Sequence, residues 1–187
     1  MLYTRKGDKG DTSAFGCKQR FSKNSALTEA LGSLDELNSL LGICKIKAAD
    51  FNFKIKTNTI TRNSINKIIE NIQNNLFIIQ AKIAGADKKI TKEKISEIEN
   101  IIDSIEKQLP PIKSFFIPGG IELAVYLDYA RAVSRKIERM VVAYFESEKI
   151  QPNDESLAYL NRLSSLLYAL TRFVNFKLKV KEKSPLY

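Results

Sequence analysis

The sequence predicts an all-α fold: a single five-helix bundle preceded by an N-terminal loop suited to phosphate. Three observations carry this. Apolar residues recur at helical spacing over five long stretches. Gly, Pro and polar clusters separate those stretches, and no convincing strand alternation or internal repeat appears. Residues 3–24, by contrast, carry Gly and charge without any sustained period. The expected organisation is one domain over 1–187, with the loop at 1–24 and the bundle at 25–180.

The loop comes first. Thr4, Arg5, Gly7, Asp8, Gly10, Thr12 and Lys23 mix hydroxyls, cations and glycines, and Phe15-Gly16 and Lys18 continue the pattern. Glycines let backbone amides approach a phosphate, and the basic and hydroxyl groups add donors. A short extended piece fits here, but the Gly-x-x-x-x-Gly-Lys-Ser/Thr spacing is absent.

The first helix is expected from Thr28 to about Ala49, with Leu31, Leu34, Leu37, Leu41 and Ile43 or Ile46 on its core side. Gly32 and Gly42 interrupt it, either for a close approach or as simple weakening, and Asp35, Asn38 and Ser39 lie off the leucine stripe. Residues 50–61 are polar, without period, and read as a connection. A second helix spans Ser64 to about Ala84 on an isoleucine-rich stripe and ends at Gly85-Ala86-Asp87. Thr91 is the expected N-cap of a third, which runs to about Leu109 before Pro110 and Pro111 stop it.

Next, Phe115 and Phe116 sit between proline breakers, where adjacent rings cannot share one helical face; one is expected in the core and the other lining a pocket. After Pro118-Gly119-Gly120 the longest helix runs from Ile121 to Ser147. Beside its apolar stripe, Arg131, Arg135 and Glu138 fall at i, i+4 and i+7, placing two guanidiniums and a carboxylate on one face. Paired arginine forks suit a polyphosphate; a solvated charged face with local ion pairs is the plainer alternative. The last helix follows Pro152, capped by Asn153 or Asp154, and reaches about Lys179. It carries Asn161, Ser165, Tyr168, Arg172 and Asn175 opposite its leucines, a row suggesting a hydrogen-bonding wall. Lys177 to Lys183 reads as a solvated basic end.

Composition removes several chemistries. The chain has no histidine, which excludes His-based acid–base catalysis and the Glu-x-x-His pairs of di-iron bundles. Cys17 and Cys44 lack metal-ligand spacing and fit a reduced, cytoplasmic setting. No apolar run reaches transmembrane length and the first residues hold no signal-peptide core. The net charge of +9 admits anionic partners without choosing among them.

In order along the chain, Tyr3-Thr4-Arg5-Lys6-Gly7-Asp8-Lys9-Gly10-Asp11-Thr12, Gly32-Ser33-Leu34-Asp35-Glu36-Leu37-Asn38-Ser39, Ile72-Gln73-Asn74-Asn75-Leu76-Phe77, Phe116-Ile117-Pro118-Gly119-Gly120, Ala130-Arg131-Ala132-Val133-Ser134-Arg135-Lys136-Ile137-Glu138-Arg139 and Tyr159-Leu160-Asn161-Arg162-Leu163-Ser164 resemble the PduO-type ATP:cob(I)alamin adenosyltransferases. Each stretch is weak alone, whereas the ordered set is specific. The resemblance implies a homotrimer of five-helix bundles with ATP between subunits. The loop residues named above, with Arg131, Arg135, Glu138 and Asn161, would hold the nucleotide, and Asp35 would pair with Arg131 across the boundary. Phe115, with Phe116 second, would face cobalamin. Lys136, Lys82 and Ser165 depart from the family's usual residues and bear on packing and fine geometry.

The implied reaction transfers the 5′-deoxyadenosyl group of ATP to cob(I)alamin, giving adenosylcobalamin and triphosphate. Cobalt is the nucleophile, so no protein nucleophile or proton shuttle is needed, consistent with a chain lacking histidine. Cations and loop amides would neutralise the leaving triphosphate, with Mg2+ held mainly by its phosphates. Phe115 under the corrin would keep the lower ligand away. A reductase and an adenosylcobalamin-dependent acceptor enzyme are the implied protein partners. Two other readings stand beside this one. A non-catalytic cobalamin and ATP carrier would share the whole pocket. A basic nucleic-acid binder would explain the charge, but would turn Glu138 toward phosphate; neither nucleic acid nor membrane is the expected partner.

Overall fold

The computed structural model describes residues 3–14, 19–56, 62–150 and 155–187. Two short hairpins flank the first of five helices. β1 (Asp11–Thr12) pairs antiparallel with β2 (Phe21–Ser22), followed by α1 (Ala26–Ala48). β3 (Lys54–Lys56) pairs antiparallel with β4 (Arg62–Ser64), which leads into α2 (Ile65–Ile83). Then come α3 (Lys92–Glu106), α4 (Glu122–Ser147) and α5 (Glu155–Lys177).

α1 starts two residues before its expected position because Ser25 and Thr28 form a reciprocal capping box: Thr28 N–H donates to Ser25 Oγ at 3.2 Å, and Ser25 N–H to Thr28 Oγ1 at 3.2 Å. α2 is capped by Ser64 Oγ, which accepts from Lys67 N–H at 3.2 Å. Thr91 does occupy the N-cap of α3, but its side chain makes no capping bond; it serves the Glu93 carboxyl instead, holding it below the usual carboxylate range. α3 stops at Glu106, three residues short of Leu109, where the chain turns ahead of the two prolines. The expected caps of α5, Asn153 and Asp154, lie outside the described residues.

α4 is central. It packs on α1 and on α5, while α2 lies against α1 and α3 against α5. Leu34, Leu37, Leu41, Leu127, Ile137, Leu163, Leu167 and Leu170 are fully buried between these helices. A polar seam joins α3, α2 and α5: Lys94 Nζ donates to Asn75 Oδ1 at 2.6 Å, and Asn75 Nδ2 to the Tyr159 hydroxyl at 3.0 Å. Burial, offset in part by that bond, pushes the Tyr159 phenol well above its ordinary pKa.

Within the expected polar connection at 50–61, residues 51–56 are built into the fold, while 57–61 lie outside the described residues. The β3–β4 hairpin buries Ile55 fully, Phe51 stacks on Phe53 at 5.5 Å, and Phe53 meets Phe173 of α5 edge-on at 6.3 Å. The lysines at 177–183 are exposed, as expected of a solvated basic end, yet residues 178–187 are tethered through their backbone and serine. They run back beside residues 112–118, where Ile117 N–H donates to Lys183 O at 2.8 Å and Ser114 and Ser184 hydroxyls bond at 2.8 Å.

Candidate functional site

The clearest concavity lies where α4 and α5 face the 112–118 segment. Its volume is about 570 Å3, and Arg131, Arg135, Phe115, Phe116, Ser165 and Tyr168 line it. The 3.6-residue period of α4 brings Arg131 and Arg135 to one side, one turn apart. Tyr168 and Ser165 come from the middle of α5, and the proline-bounded segment supplies both rings.

Arg131 is partly covered and already engaged. Its Nε donates to Asp128 Oδ1 at 2.7 Å and its Nη2 to Asp128 Oδ2 at 3.4 Å, and its guanidinium carbon lies 6.0 Å from the Tyr168 ring centre. Nη1 remains open. Burial raises the Tyr168 phenol pKa, assisted by Glu182 and Asp128 and opposed by Arg172 and Arg131. The Arg135 side chain is exposed and makes no hydrogen bond or ion pair with the described residues. Below it on α4, Glu138 Oε1 accepts from Asn161 Nδ2 at 2.9 Å, while Asn161 Oδ1 accepts from Arg162 at 2.8 Å. The carboxylate thus orients the amide, so the Glu138 and Asn161 expectations meet in one pair.

Neither aromatic enters the core, against the expectation for one of them. Phe115 is 78% exposed. Phe116 is half-buried and lies under the Arg172 guanidinium, with 5.1 Å from ring centre to the guanidinium carbon. The proline and glycine breakers keep this segment outside the helical layers, so the rings line the cleft rather than fill the interior.

The N-terminal residues form a turn-rich lobe ahead of α1, joined to the bundle where Phe21 packs on the core and the Thr28 hydroxyl donates to Ser22 O and Lys23 O. Arg5 and Gly10 have positive φ, and Gly10 N–H donates to Gly7 O at 3.2 Å. Lys23 Nζ donates to Gly7 O at 2.9 Å, and its own N–H donates to Gly10 O at 2.9 Å, so Lys23 closes the turn that carries both glycines. Arg20 grips Asp11 with two nitrogens, and this hydrogen bond lowers the Asp11 pKa. Thr4 Oγ1 accepts from Lys6 N–H at 3.4 Å, and Asp8 N–H donates to Arg5 O at 3.4 Å. Thr12 pairs with Phe21 in the β1–β2 ladder. Phe15, Gly16, Cys17 and Lys18 lie outside the described residues. Within one chain, no hydrogen bond or ion pair links this lobe to α4 among the described residues. Asp35 is also apart: exposed on α1, without a hydrogen bond or ion pair among those residues.

Gly32 and Gly42 mark no close approach within the chain, since a Cβ at Gly32 would meet nothing and at Gly42 only the end of Gln73. Gly120 does: at φ +115 its missing Cβ leaves room for the Asn175 amide. Asn175 Nδ2 donates to Gly119 O at 3.0 Å and its Oδ1 accepts from Ile121 N–H at 3.4 Å. The α5 polar row does form hydrogen bonds, at Asn161, Arg172 and Asn175, but with other parts of the same chain. Its Asn161 end is exposed, while Arg172 and Asn175 are buried.

Sequence reasoning missed Asp128 and Glu182, and placed Arg172 only in the α5 polar row. Asp128 had a signal, lying three residues before Arg131 on the same helix. Glu182 had a fainter one, an acid among four lysines.

The family model described as Cobalamin adenosyltransferase matches residues 2–174. The corrinoid adenosyltransferase PduO of Salmonella typhimurium is 36% identical over 178 residues, covering 91% of this chain and 48% of that protein. The corrinoid adenosyltransferase of Bacillus subtilis is 36% identical over 178 residues, covering 93% of this chain and 86% of that protein. This chain thus spans about half the length of the Salmonella relative. Among solved structures, a variant PduO-type ATP:corrinoid adenosyltransferase from Lactobacillus reuteri, complexed with cobalamin and ATP, superposes with a TM-score of 0.81 at 30% identity, covering 100% of this chain and 96% of that one.

Proposed function

Because this chain belongs to the cobalamin adenosyltransferase family, we propose that it transfers the 5′-deoxyadenosyl group of ATP to cob(I)alamin. The cobalt electron pair forms a bond to the 5′ carbon, the carbon–oxygen bond to the phosphate chain breaks, and triphosphate leaves with the electron pair of that carbon–oxygen bond. Cobalt is formally oxidised by two electrons, and no proton need move.

One observation carries the assignment to these residues: open guanidinium nitrogens and two aromatic rings share a single cleft. Arg135 and the free Nη1 of Arg131 can bind phosphate oxygens and stabilise charge as it builds on the leaving group. Glu138 fixes Asn161 so that its amide presents one orientation. Magnesium enters as part of the nucleotide substrate, bound to its phosphates. Phe115 would occupy the lower face of the corrin and exclude water or the displaced base.

The chain would act as a homotrimer with each nucleotide site shared by two subunits. Asp35, Ser39, Ile43 and Ile46 follow one exposed stripe of α1, and Ile46 is 72% exposed. Asp35 and Arg131 Nη1, both without a partner among the described residues, would be the two halves of a contact that a second subunit completes. The glycine-bearing lobe, apart from α4 in its own chain, would reach a neighbour's phosphates in the same way. A reductase and an adenosylcobalamin-dependent acceptor would act before and after it.

The test is anaerobic incubation with ATP, magnesium and chemically reduced cobalamin. Loss of the cob(I)alamin absorbance with appearance of the alkylcobalamin spectrum and stoichiometric triphosphate is expected. Tight binding of both substrates without cobalt–carbon bond formation would make the protein a carrier instead.

A further inference from the structure

We infer that Arg172 and Glu182 act as a latch that positions the Phe115–Phe116 segment, an inference that rests on the proposed reaction. Phe115 is exposed and so receives little orientation from the core. Its position depends on whatever holds the segment, and the structure shows what does.

Arg172 lies at the centre. Its side chain is 7% exposed. Nε donates to Glu182 Oε2 at 3.2 Å, Nη2 donates to Pro110 O at 3.3 Å, and the guanidinium covers the Phe116 ring. One residue of α5 thus touches the start of the segment, the neighbour of Phe115 and the returning tail. Three positions further along α5, Asn175 bonds the far end at Gly119 and Ile121. The tail closes the outer side through the Ile117–Lys183 and Ser114–Ser184 bonds.

The chemistry explains why Glu182 matters. A buried guanidinium requires a compensating carboxylate, and Glu182 is its only ion-pair partner among the described residues. Loss of that charge leaves Arg172 poorly compensated, so it turns toward water and releases both Phe116 and the tail. The tail lies beyond residue 174, where the family match ends. Both are therefore positioning residues: neither need touch ATP or cobalt.

The test is Glu182→Gln in the full-length chain, a change outside the helices that leaves the bundle's circular dichroism intact. Two readouts are taken. The Ile117 amide, bonded to Lys183 O, should exchange with solvent faster than in the wild type, because local opening of the segment becomes easier. Adenosylation starting from cob(II)alamin with reductant should fall about tenfold, whereas adenosylation from pre-formed cob(I)alamin falls much less, because only the former needs the ring in place for reduction. Unchanged Ile117 exchange would overturn the latch. So would faster exchange with equal losses, or no loss, from both starting states. If the wild-type protein forms no cobalt–carbon bond even from cob(I)alamin, the proposed reaction fails, and Ile117 exchange alone decides whether the latch holds the segment.

Discussion

Arg131 shows what a spacing pattern can and cannot specify. Four-residue spacing put it beside Arg135, and the structure keeps them on one cleft. Spacing did not reveal that Asp128 already takes two of its nitrogens. That pairing makes the guanidinium plane, as well as its charge, part of the site. Arg131→Lys retains the charge but cannot bond a carboxylate bidentately and still present a nitrogen to phosphate. Turnover should therefore fall at least about tenfold while helicity is unchanged, and near-normal kcat/KM would end this role. Cys44 makes a different prediction. Complete burial pushes its thiol up to about 12, against about 8.5 in an unfolded chain. The native chain keeps a proton that the unfolded chain releases. This contribution is thus whole below pH about 8.5 and declines as pH rises toward the folded value, by at most about 1.4 kcal/mol per unit. Denaturant midpoints measured between about pH 8 and 10 should drop more steeply for wild type than for Cys44→Ala. Parallel slopes would show that the thiol does not titrate this way.

The elements were legible in proportion to their length and period. α2 and α4 carry long apolar stripes, and their expected and observed spans agree to within a residue or two. The β3–β4 hairpin was missed although Phe51, Phe53 and Ile55 alternate with Asn52 and Lys54, because so short a period-2 run is set in a stretch that is otherwise polar. The tail's lysines reach solvent as expected; its docking was not legible, because it rests mainly on backbone, serine and Glu182. Of the candidate site, the guanidinium pair could be read from helical phase; the Glu138–Asn161 pair could not, because it joins α4 to α5 across 23 residues. The arrangement around Arg172 could not, since it joins positions 62 and 10 residues apart. The Pro118-Gly119-Gly120 breaker was read correctly as a stop, and the structure adds a requirement at its last residue. Gly120→Ala would hold an alanine at φ +115 and drive its methyl into Asn175. About 1–3 kcal/mol of destabilisation is expected from the backbone conformation alone. The displaced Asn175 would also give up Gly119 and Ile121, so the melting temperature and Ile121 amide protection should fall together. Lowered stability with Ile121 protection intact would place the damage elsewhere.

For the whole molecule, the decisive question is whether one chain contains a complete site. Within a chain, Asp35 and Arg131 do not meet, and the glycine-bearing lobe makes no hydrogen bond or ion pair to α4 among the described residues. In a cyclic trimer each interface is head-to-tail, with the Asp35 face of one subunit against the Arg131 face of the next. Asp35→Ala and Arg131→Ala should each reduce activity in a homogeneous preparation, because every interface then lacks one partner. Mixed assemblies behave differently. An Asp35→Ala subunit still supplies Arg131, an Arg131→Ala subunit still supplies Asp35, and an interface using those two intact faces is wild type. Random mixing in equal amounts gives that ordered pairing at about one interface in four. Co-expression of the two variants should therefore restore about a quarter of wild-type turnover per site, whereas mixing the separately assembled proteins should restore it only after subunit exchange. Light scattering on the same samples should return the mass of three chains. If Asp35 and Arg131 served the same site within one subunit, no mixture could regain activity, because no chain in it would carry both residues; this result would overturn the shared site even if the protein proved trimeric.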